Sequence, residues 1–427
     1  MRCATNAADG LFSSVCAWVI TITTIPLNNR VDSMLQLADS LNRLGTETAF
    51  EVLARAADLA AQGRDIINLG IGQPDFKTPP HIVEAAIKAL RDGHQGSTPA
   101  NGVLPLREGV ARDLDRRHGV EVSPANIVIM PGGKPTMFFA MLMFGAPGKS
   151  IMYPDPGFPI YRSMIEYSGA KAVPISLKEE NGFAFSAEEV LAQITPSTSL
   201  IILNTPGNPT GGAVPENEIR KLVAGLAQHP NVAIMADEIY SQMLYDGATH
   251  VSLLRFPEIR DRLIVLDGWS KTYAMTGWRL GFSVWPDALI AHVTRLCVNN
   301  HSCVNAPTQF AGIAALDGPQ DAVHAMVGAF DERRRVIVGL LNQLPGVTCV
   351  NPGGAFYAFP NITGTGMSAR QLQTAMLEEA GVATVAGTSF GINGEGYVRF
   401  SYANSVDNIR AALNRIGTLL TERQGKV

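Results

Sequence analysis

Apolar and polar positions fall into a regular order from about Met34 onward. Residues 51–61 are rich in helix formers and stop at Gly63, and the short apolar run 66–69 leads into Gly70-Ile-Gly-Gln-Pro-Asp75. Ile82, Ala86 and Ala89 share one helical face after Pro79-Pro80, which predicts a helix opening at the prolines. Strand-like and helical stretches then alternate. The runs 127–130, 150–153, 200–203, 232–236 and 263–266 read as buried strands, with a proline-rich turn at 154–159. Between them lie a helical run at 135–144 opened by Pro131-Gly132-Gly133, a capping box at Ser186-Ala-Glu-Glu189, and a helix face of Ile219, Leu222, Val223 and Leu226. Such alternation predicts an α/β domain with a mostly parallel sheet flanked by helices.

The pattern changes after about residue 316. Val323, Met326, Val327, Phe330, Ile337, Leu341 and Leu344 fall at helical spacing, which predicts one long helix leading into a smaller α+β unit. Its further elements are expected at 355–359, behind a second capping box at Ser368–Gln371, at 382–385 and at 397–402. Arg333-Arg334-Arg335 is expected to be a solvated helix face rather than an anion site, because apolar positions flank it at core spacing. No internal repeat is visible.

Composition narrows the classes. Of 427 residues, 46% are hydrophobic and 17% charged, enough apolar material for a large core and too much for a disordered chain. Lys+Arg number 34 against 38 Asp+Glu, a formal charge of −4, so there is no bulk positive field for nucleic acid or an anionic membrane. Five scattered cysteines, Cys3, Cys16, Cys297, Cys303 and Cys349, argue against a disulfide framework or zinc module and fit a reducing, cytoplasmic compartment. Residues 11–29 carry no charge, but Arg2 is the only basic side chain before them, and threonines and Pro26 interrupt the apolar run. With no small-residue cleavage site either, residues 1–33 are expected to be a mobile extension, with secretion the alternative. No segment reaches the length and apolarity of a membrane span.

Chemistry gathers just after the predicted strands, where an open parallel sheet binds its ligands. Asn204-Thr-Pro-Gly-Asn208-Pro-Thr-Gly211 follows one strand, Asp237-Glu238-Ile239-Tyr240 a second, Ser270-Lys271 a third, and Pro131-Gly132-Gly133-Lys134 joins a strand to a helix. Singly, each is ordinary turn, cap or surface chemistry. Together they supply a lysine able to form a Schiff base with an aldehyde, a carboxylate to keep a pyridine nitrogen protonated, and a glycine-rich helix N-terminus for a phosphate. Ser270 and Arg279 could add a hydroxyl and a cation to that phosphate. These are the requirements of pyridoxal phosphate.

From about residue 38 onward the chain resembles the fold-type-I, class I/II pyridoxal-phosphate-dependent aminotransferases. The resemblance rests on Gly72-Gln-Pro-Asp-Phe76, Thr98-Pro-Ala-Asn-Gly102 with Leu106-Arg107-Glu108, Asn208-Pro-Thr-Gly211, Asp237-Glu-Ile-Tyr240 and Ser270-Lys271. It continues through Met275-Thr-Gly-Trp-Arg-Leu-Gly281, Gly353-Gly-Ala-Phe-Tyr357 and Arg399-Phe-Ser401. Each motif is weak alone; their order and spacing are specific. The fold it implies is a large cofactor-binding α/β domain, 76–315, with a small α+β domain built from 34–75 and 316–427.

The resemblance also implies roles. Lys271 would carry the cofactor and move a proton, Asp237 would pair with its pyridine nitrogen, and Asn208 and Tyr240 would bond its phenolic oxygen. Phe158 would stack on the ring. The amides of Gly133 and Lys134, with Ser270 and Arg279, would hold the phosphate. Arg399 would clamp the substrate carboxylate, with the Gly72 backbone close by. For Lys134 the backbone role is expected, its side chain reaching an acidic substrate being the alternative. The implied reaction carries an amino group from an L-amino acid to a 2-oxo acid, commonly 2-oxoglutarate, by a ping-pong cycle in a homodimer whose sites lie at the interface.

One position departs from the family. A tyrosine usually precedes Thr-Pro and reaches the neighbouring subunit's phosphate; here it is Ser97, so weaker cofactor retention is expected. Gly387-Thr-Ser389-Phe-Gly391 matches a nucleophile-elbow pattern, but Gly391-Ile-Asn-Gly-Glu-Gly396 breaks any following helix, and a loop beside the substrate is expected instead. Cys303 is expected to be a packed cysteine, and the eight histidines lack metal-site spacing. Two other outcomes stay open: a lyase or racemase on the same fold, and an aminotransferase-like ligand sensor. The sensor lacks the basic DNA-binding domain it would need in residues 1–33.

Overall fold

The computed structural model describes residues 36–45 and 49–425; the expected N-terminal extension, 1–33, lies outside them. Twelve strands are described. In chain order they are β1 (Ile67–Asn68), β2 (Ile127–Met130), β3 (Ser150–Asp155), β4 (Lys171–Ser176), β5 (Thr198–Asn204), β6 (Ala233–Asp237), β7 (Leu263–Gly268) and β8 (Gly281–Val284). The short strands β9 (Tyr357–Ala358), β10 (Val382–Ala383), β11 (Val385–Ala386) and β12 (Val398–Ser401) complete the set.

Seven strands form one sheet in the order β2-β8-β7-β6-β5-β3-β4. The pairs from β7 through β4 are parallel, and β8 runs antiparallel to both β2 and β7. The central strands are apolar without a break because both faces are covered. Ile201, Leu203, Ile234, Ala236, Leu263 and Val265 enter the core on one face, and Leu200, Ile202, Ala233, Met235, Ile264 and Leu266 that on the other. This is the period of two that a strand imposes on its side chains.

A second core gathers Ile67, Phe330, Ile337, Phe356, Tyr357, Val382 and Leu413. Here β1 pairs in parallel with β10, and β12 lies between β9 and β11 in a three-stranded antiparallel sheet. Two long helices, Asp321–Leu341 and Val406–Gln424, close this unit. Among the described residues no helix is long and apolar enough to cross a membrane.

Most expected elements stand close to their expected places, and four details differ. The strand at 150–153 continues through Pro154 and Asp155, which pair with Ile175 and Ser176 of β4; an X-Pro extension is compatible with parallel pairing on the side where no amide is required. The run 382–385 is two strands in different sheets, split at Thr384. Ser186 caps its helix through the Glu189 amide, but the Glu189 carboxylate is drawn 2.5 Å from Lys178 Nζ instead of closing the box. Arg333-Arg334-Arg335 is not a solvated face. Arg334 is buried, with Asp246 and Asp331 as partners, and Arg333 pairs with Asp75 at 2.7 Å and lies over the Phe76 ring; only Arg335 is exposed. Acidic partners distant in sequence made burial of these cations affordable.

Candidate active site

The parallel strands β3, β5, β6 and β7 end at Asp155, Asn204, Asp237 and Gly268, along one edge of the sheet. Each expected group hangs from this edge or from segments folded over it. Lys271 sits in the single helical turn Trp269–Thr272 that follows β7. Its Nζ donates to the Gly72 carbonyl at 2.6 Å and lies 5.9 Å from the Tyr240 ring centroid and 5.7 Å from that of Phe356. Burial, together with the positive charges of Arg399 and Arg279, lowers the amine to about 8, against a smaller opposing pull from Asp237.

Asp237 is the last residue of β6 and is buried. Its carboxylate accepts from the Tyr161 hydroxyl at 2.6 Å and the Ile239 amide at 3.2 Å. Burial raises its carboxyl to about 6 in spite of these donors, helped by the neighbouring acids Asp267 and Glu238. Those two neighbours are served differently. Arg117 bridges Asp113 and Asp267, while His250 Nε2 stands 3.0 Å from Glu238, close enough for an ion pair though off the hydrogen-bond direction. Burial pushes the Glu238 carboxyl up, but His250, His118 and the Leu253 amide together outweigh it and hold the group below its ordinary value. Among the described residues Asp237 makes no ion pair.

Arg399 projects from β12 between two aromatic rings, 4.7 Å from the centroids of both Tyr357 and Phe390. It donates to Asn208 Oδ1 at 2.9 Å and to the Gly70 carbonyl at 2.6 Å. Asn208 is tied back to the sheet, since its amide donates to Asn204 Oδ1 and the Asn204 side chain donates to the Asp237 carbonyl. Tyr240 is buried, its hydroxyl 2.8 Å from that of Tyr357. Gly72 passes so close that a Cβ there would meet the Tyr357 hydroxyl at 2.7 Å. One connected set of contacts therefore joins Gly72, Lys271, Tyr240, Tyr357, Arg399, Asn208 and Asp237.

The phosphate candidates form a second cluster. Gly133 immediately precedes the helix Lys134–Phe144, and Gly132 adopts φ +87°, a left-handed conformation natural to glycine. The Arg279 guanidinium lies against Gly132, where a Cβ would overlap it, and donates to the Thr276 carbonyl at 2.7 Å. Arg279 itself holds φ +55°, an uncommon conformation for a side-chain-bearing residue that aims its guanidinium back at this turn. Ser270 is buried one residue before Lys271. Phe158 is half-buried, stands edge-on to Tyr161, and lies 5.3 Å from Lys134 Nζ. A cleft of about 400 Å³ lined by Phe158, Arg162, Arg370, Ser389, Phe390 and Ile392 opens beside it. Gly387-Thr-Ser389-Phe-Gly391 lies in this loop region as a single 3₁₀ turn, not at a strand-to-helix elbow. Cys303 departs from expectation: it is only partly buried, in a concavity it shares with Arg279, Trp278, Asn305 and Thr308.

Sequence reasoning missed Tyr161, Tyr357 as a hydroxyl partner, and Asp155. Tyr161 had a usable signal, since it lies three residues after Phe158 and one helical turn is enough to bring both to the same edge.

Fold and site together fit an enzyme of amino-group transfer: an amine of lowered basicity, a buried carboxylate with no ion pair among the described residues, and an arginine held between two rings at one sheet edge. The comparisons name the family. The sequence model for aminotransferase class I and II matches residues 64–416, and the chain belongs to that family. It is 39% identical to the aspartate aminotransferase of Pyrococcus horikoshii over 84% of this chain and 91% of that protein. It is 35% identical to the aspartate/prephenate aminotransferase of Cereibacter sphaeroides over 90% of this chain and 98% of the relative. Among solved structures, the aspartate aminotransferase from Rhizobium meliloti superposes with a TM-score of 0.87 at 32% identity, covering 91% of this chain and 99% of the other.

Proposed function

We propose that this aminotransferase works with pyridoxal phosphate bound at the sheet edge, carried by Lys271. The residues fit that group on three counts. The left-handed turn at Gly132 and the Arg279 guanidinium folded against it offer a phosphate cradle at a helix N-terminus. Asp237 is a buried acid with no ion pair among the described residues, and a protonated pyridine nitrogen would supply one. The Lys271 amine, lowered from 10.5 to about 8, keeps roughly a fifth of its molecules neutral near physiological pH, far more than an ordinary lysine, and that fraction is nucleophilic. When bound, the cofactor supplies an electron sink for the negative charge left at the substrate α-carbon.

The chain's own groups do the rest. Arg399, held by Asn208 and Gly70 between two rings, orients the α-carboxylate of the amino acid. With the cofactor bound, the Lys271 amine would hold and move the proton released at the substrate α-carbon. Tyr240, its hydroxyl bonded to that of Tyr357, and Asn208 would hold the cofactor's phenolic oxygen, and Phe158 would lie against its ring. The amides of Gly133 and Lys134, with Ser270, complete the phosphate site. The first substrate leaves as a 2-oxo acid before a second one, 2-oxoglutarate in our reading, takes up the amino group. All relatives named above are aminotransferases, which favours transfer over the lyase, racemase and sensor readings. We place the enzyme in the cytoplasm as a homodimer, with the small domain formed by 34–75 and 316–427 and the large one by 76–315.

The observation that carries this reading is the buried Lys271 amine, which among the described residues makes no ion pair and rests on a backbone carbonyl. Borohydride reduction of cofactor-loaded protein, followed by peptide mapping, should place the label on Lys271, and Lys271→Ala should lose both label and turnover. A label elsewhere, or full activity in that variant, would sink the assignment. A panel of amino donors beginning with aspartate, aromatic amino acids and alanine, read by loss of the bound-cofactor absorbance, identifies the substrate.

A further inference from the structure

Asp155, at the end of β3, is a fully buried carboxylate that no salt bridge reaches among the described residues. A charge taken out of water needs compensation. Here it comes from one loop. The Asn393 amide donates to the carboxylate at 3.0 Å and the Ile392 amide at 3.3 Å, with the Tyr153 hydroxyl 3.5 Å away. The loop is shaped to the carboxylate: Gly391 adopts φ +134°, and a Cβ there would overlap the Asp155 oxygens. Two backbone links complete the grip, from the Asn393 side chain to the Asp155 carbonyl at 3.4 Å and from the Gly157 amide to the Phe390 carbonyl at 2.8 Å.

What this loop carries gives the grip its meaning. It leaves β11, whose Val385 pairs directly with Arg399 on β12, and the Gly387 amide returns to the Tyr397 carbonyl at 2.8 Å. Phe390, at its centre, packs its ring 4.7 Å from the Arg399 guanidinium. At the other end of the grip, Gly157 immediately precedes Phe158. One carboxylate on the large sheet therefore holds the loop that backs the arginine of the small one.

We infer that Asp155 is a positioning residue for the substrate-carboxylate clamp: by binding the Ile392 and Asn393 amides it fixes Phe390, and through Phe390 the guanidinium of Arg399. The inference rests on the reading of Arg399 as that clamp. It concerns recognition of the α-carboxylate, which amino acid and oxo acid share, and neither the link to Lys271 nor the proton transfer. A substrate without that carboxylate should not sense it.

The test compares half-reactions of the cofactor-loaded enzyme with an amino acid and with a simple primary amine of the same side chain. Asp155→Ala should raise the half-saturating amino-acid concentration about tenfold or more, as loss of charged hydrogen bonds behind the clamp implies, and leave the amine reaction unchanged. Asp155→Asn retains one acceptor and should fall between; it also serves if the alanine variant does not accumulate folded. Cofactor absorbance and affinity should match the parent. Equal losses with both substrates would mark a merely structural residue and overturn the inference, as would no loss with either. Arg399→Ala, run in parallel, separates the two claims. If it fails to discriminate amine from amino acid, the clamp reading itself falls; if it discriminates and the Asp155 variants do not, only the positioning role falls.

Discussion

The Tyr161 hydroxyl donates a 2.6 Å hydrogen bond to the Asp237 carboxylate, and both groups are buried. Among the described residues it is the only side chain that donates to Asp237, which makes no ion pair there. Asp237 must be ionised to hold a protonated pyridine nitrogen, and this donor favours the ionised form. Tyr161→Phe keeps the ring and removes the donor. A hydrogen bond to a charged group contributes about 1.5–3 kcal/mol, so cofactor affinity is expected to fall by about tenfold or more. Titration of cofactor-free protein with pyridoxal phosphate measures it, and unchanged affinity would refute the coupling.

A second expectation concerns pH and the amine. Lys271 is lowered from 10.5 to about 8, first by burial and then by Arg399 and Arg279. Only the neutral amine attacks an aldehyde. The rate at which cofactor-free protein captures the aldehyde should therefore rise through pH 8 and level off, whereas an ordinary lysine would keep accelerating toward pH 10. The linked stability has a definite sign. Between about 8 and 10.5 the unfolded chain binds the extra proton, so this group's contribution makes the folded state more stable as pH rises through that window. Rapid-mixing measurements from pH 6 to 10 decide, and a rate still climbing above pH 9 would contradict the lowered basicity.

Much of this was legible in the residue order. The central strands announced themselves because a sheet covered on both faces needs unbroken apolar runs, and Ile127–Met130 stands where expected. Lys271, Asp237 and Asn208 stood out because they follow such strands at the edge where an open parallel sheet binds ligands, and the structure brings them together there. The rest depended on partners far away in the chain. Nothing near Arg334 announced Asp246, 88 positions earlier, and nothing near Asp155 announced the amides at 392 and 393. Val382–Ala383 and Val385–Ala386 read as one strand because hydropathy is blind to a change of sheet.

Arg334 supports a stability prediction that the sequence pattern opposed. Its guanidinium donates to both Asp246 oxygens at 2.8 Å, to Asp331 at 2.9 Å and to the Pro352 carbonyl at 3.1 Å, and stacks 4.7 Å from the Tyr245 ring centroid. Arg334→Leu would leave the buried Pro352 carbonyl without its donor, Asp246 without its bidentate partner and Asp331 with only the exposed Arg335, at a cost of about 2–3 kcal/mol. Arg335, two-thirds exposed, should cost less than about 0.5 kcal/mol as leucine. Denaturant midpoints of the two variants test the contrast, and equal values would return the triplet to a solvated face.

Ser97 is exposed, and the hydroxyl of its neighbour Thr98 accepts from the Gln309 side chain at 2.9 Å. If a second copy covers this face, a phenol at 97 gains reach toward the neighbouring phosphate. Ser97→Tyr should then slow loss of cofactor on dilution or dialysis. No gain in retention would remove the idea.

The acid at 237 makes the last prediction, on protein without cofactor. An ordinary aspartate ionises near 3.8, whereas burial raises Asp237 to about 6. Between those values the folded chain holds a proton that the unfolded chain has released. Folded stability from this group therefore falls as pH rises from about 4 to 6, by about 3 kcal/mol in all. Bound cofactor should cancel most of the decline, because a protonated pyridine nitrogen favours the ionised acid. Other groups titrate in the same range, so the informative quantity is the difference from Asp237→Asn, which cannot ionise. Thermal midpoints of both proteins at pH 4.5 to 7, with and without cofactor, give it. In cofactor-free protein the difference should change with pH, and bound cofactor should flatten that change; a difference flat in pH without cofactor would mean that Asp237 is ionised throughout and already balanced within the chain.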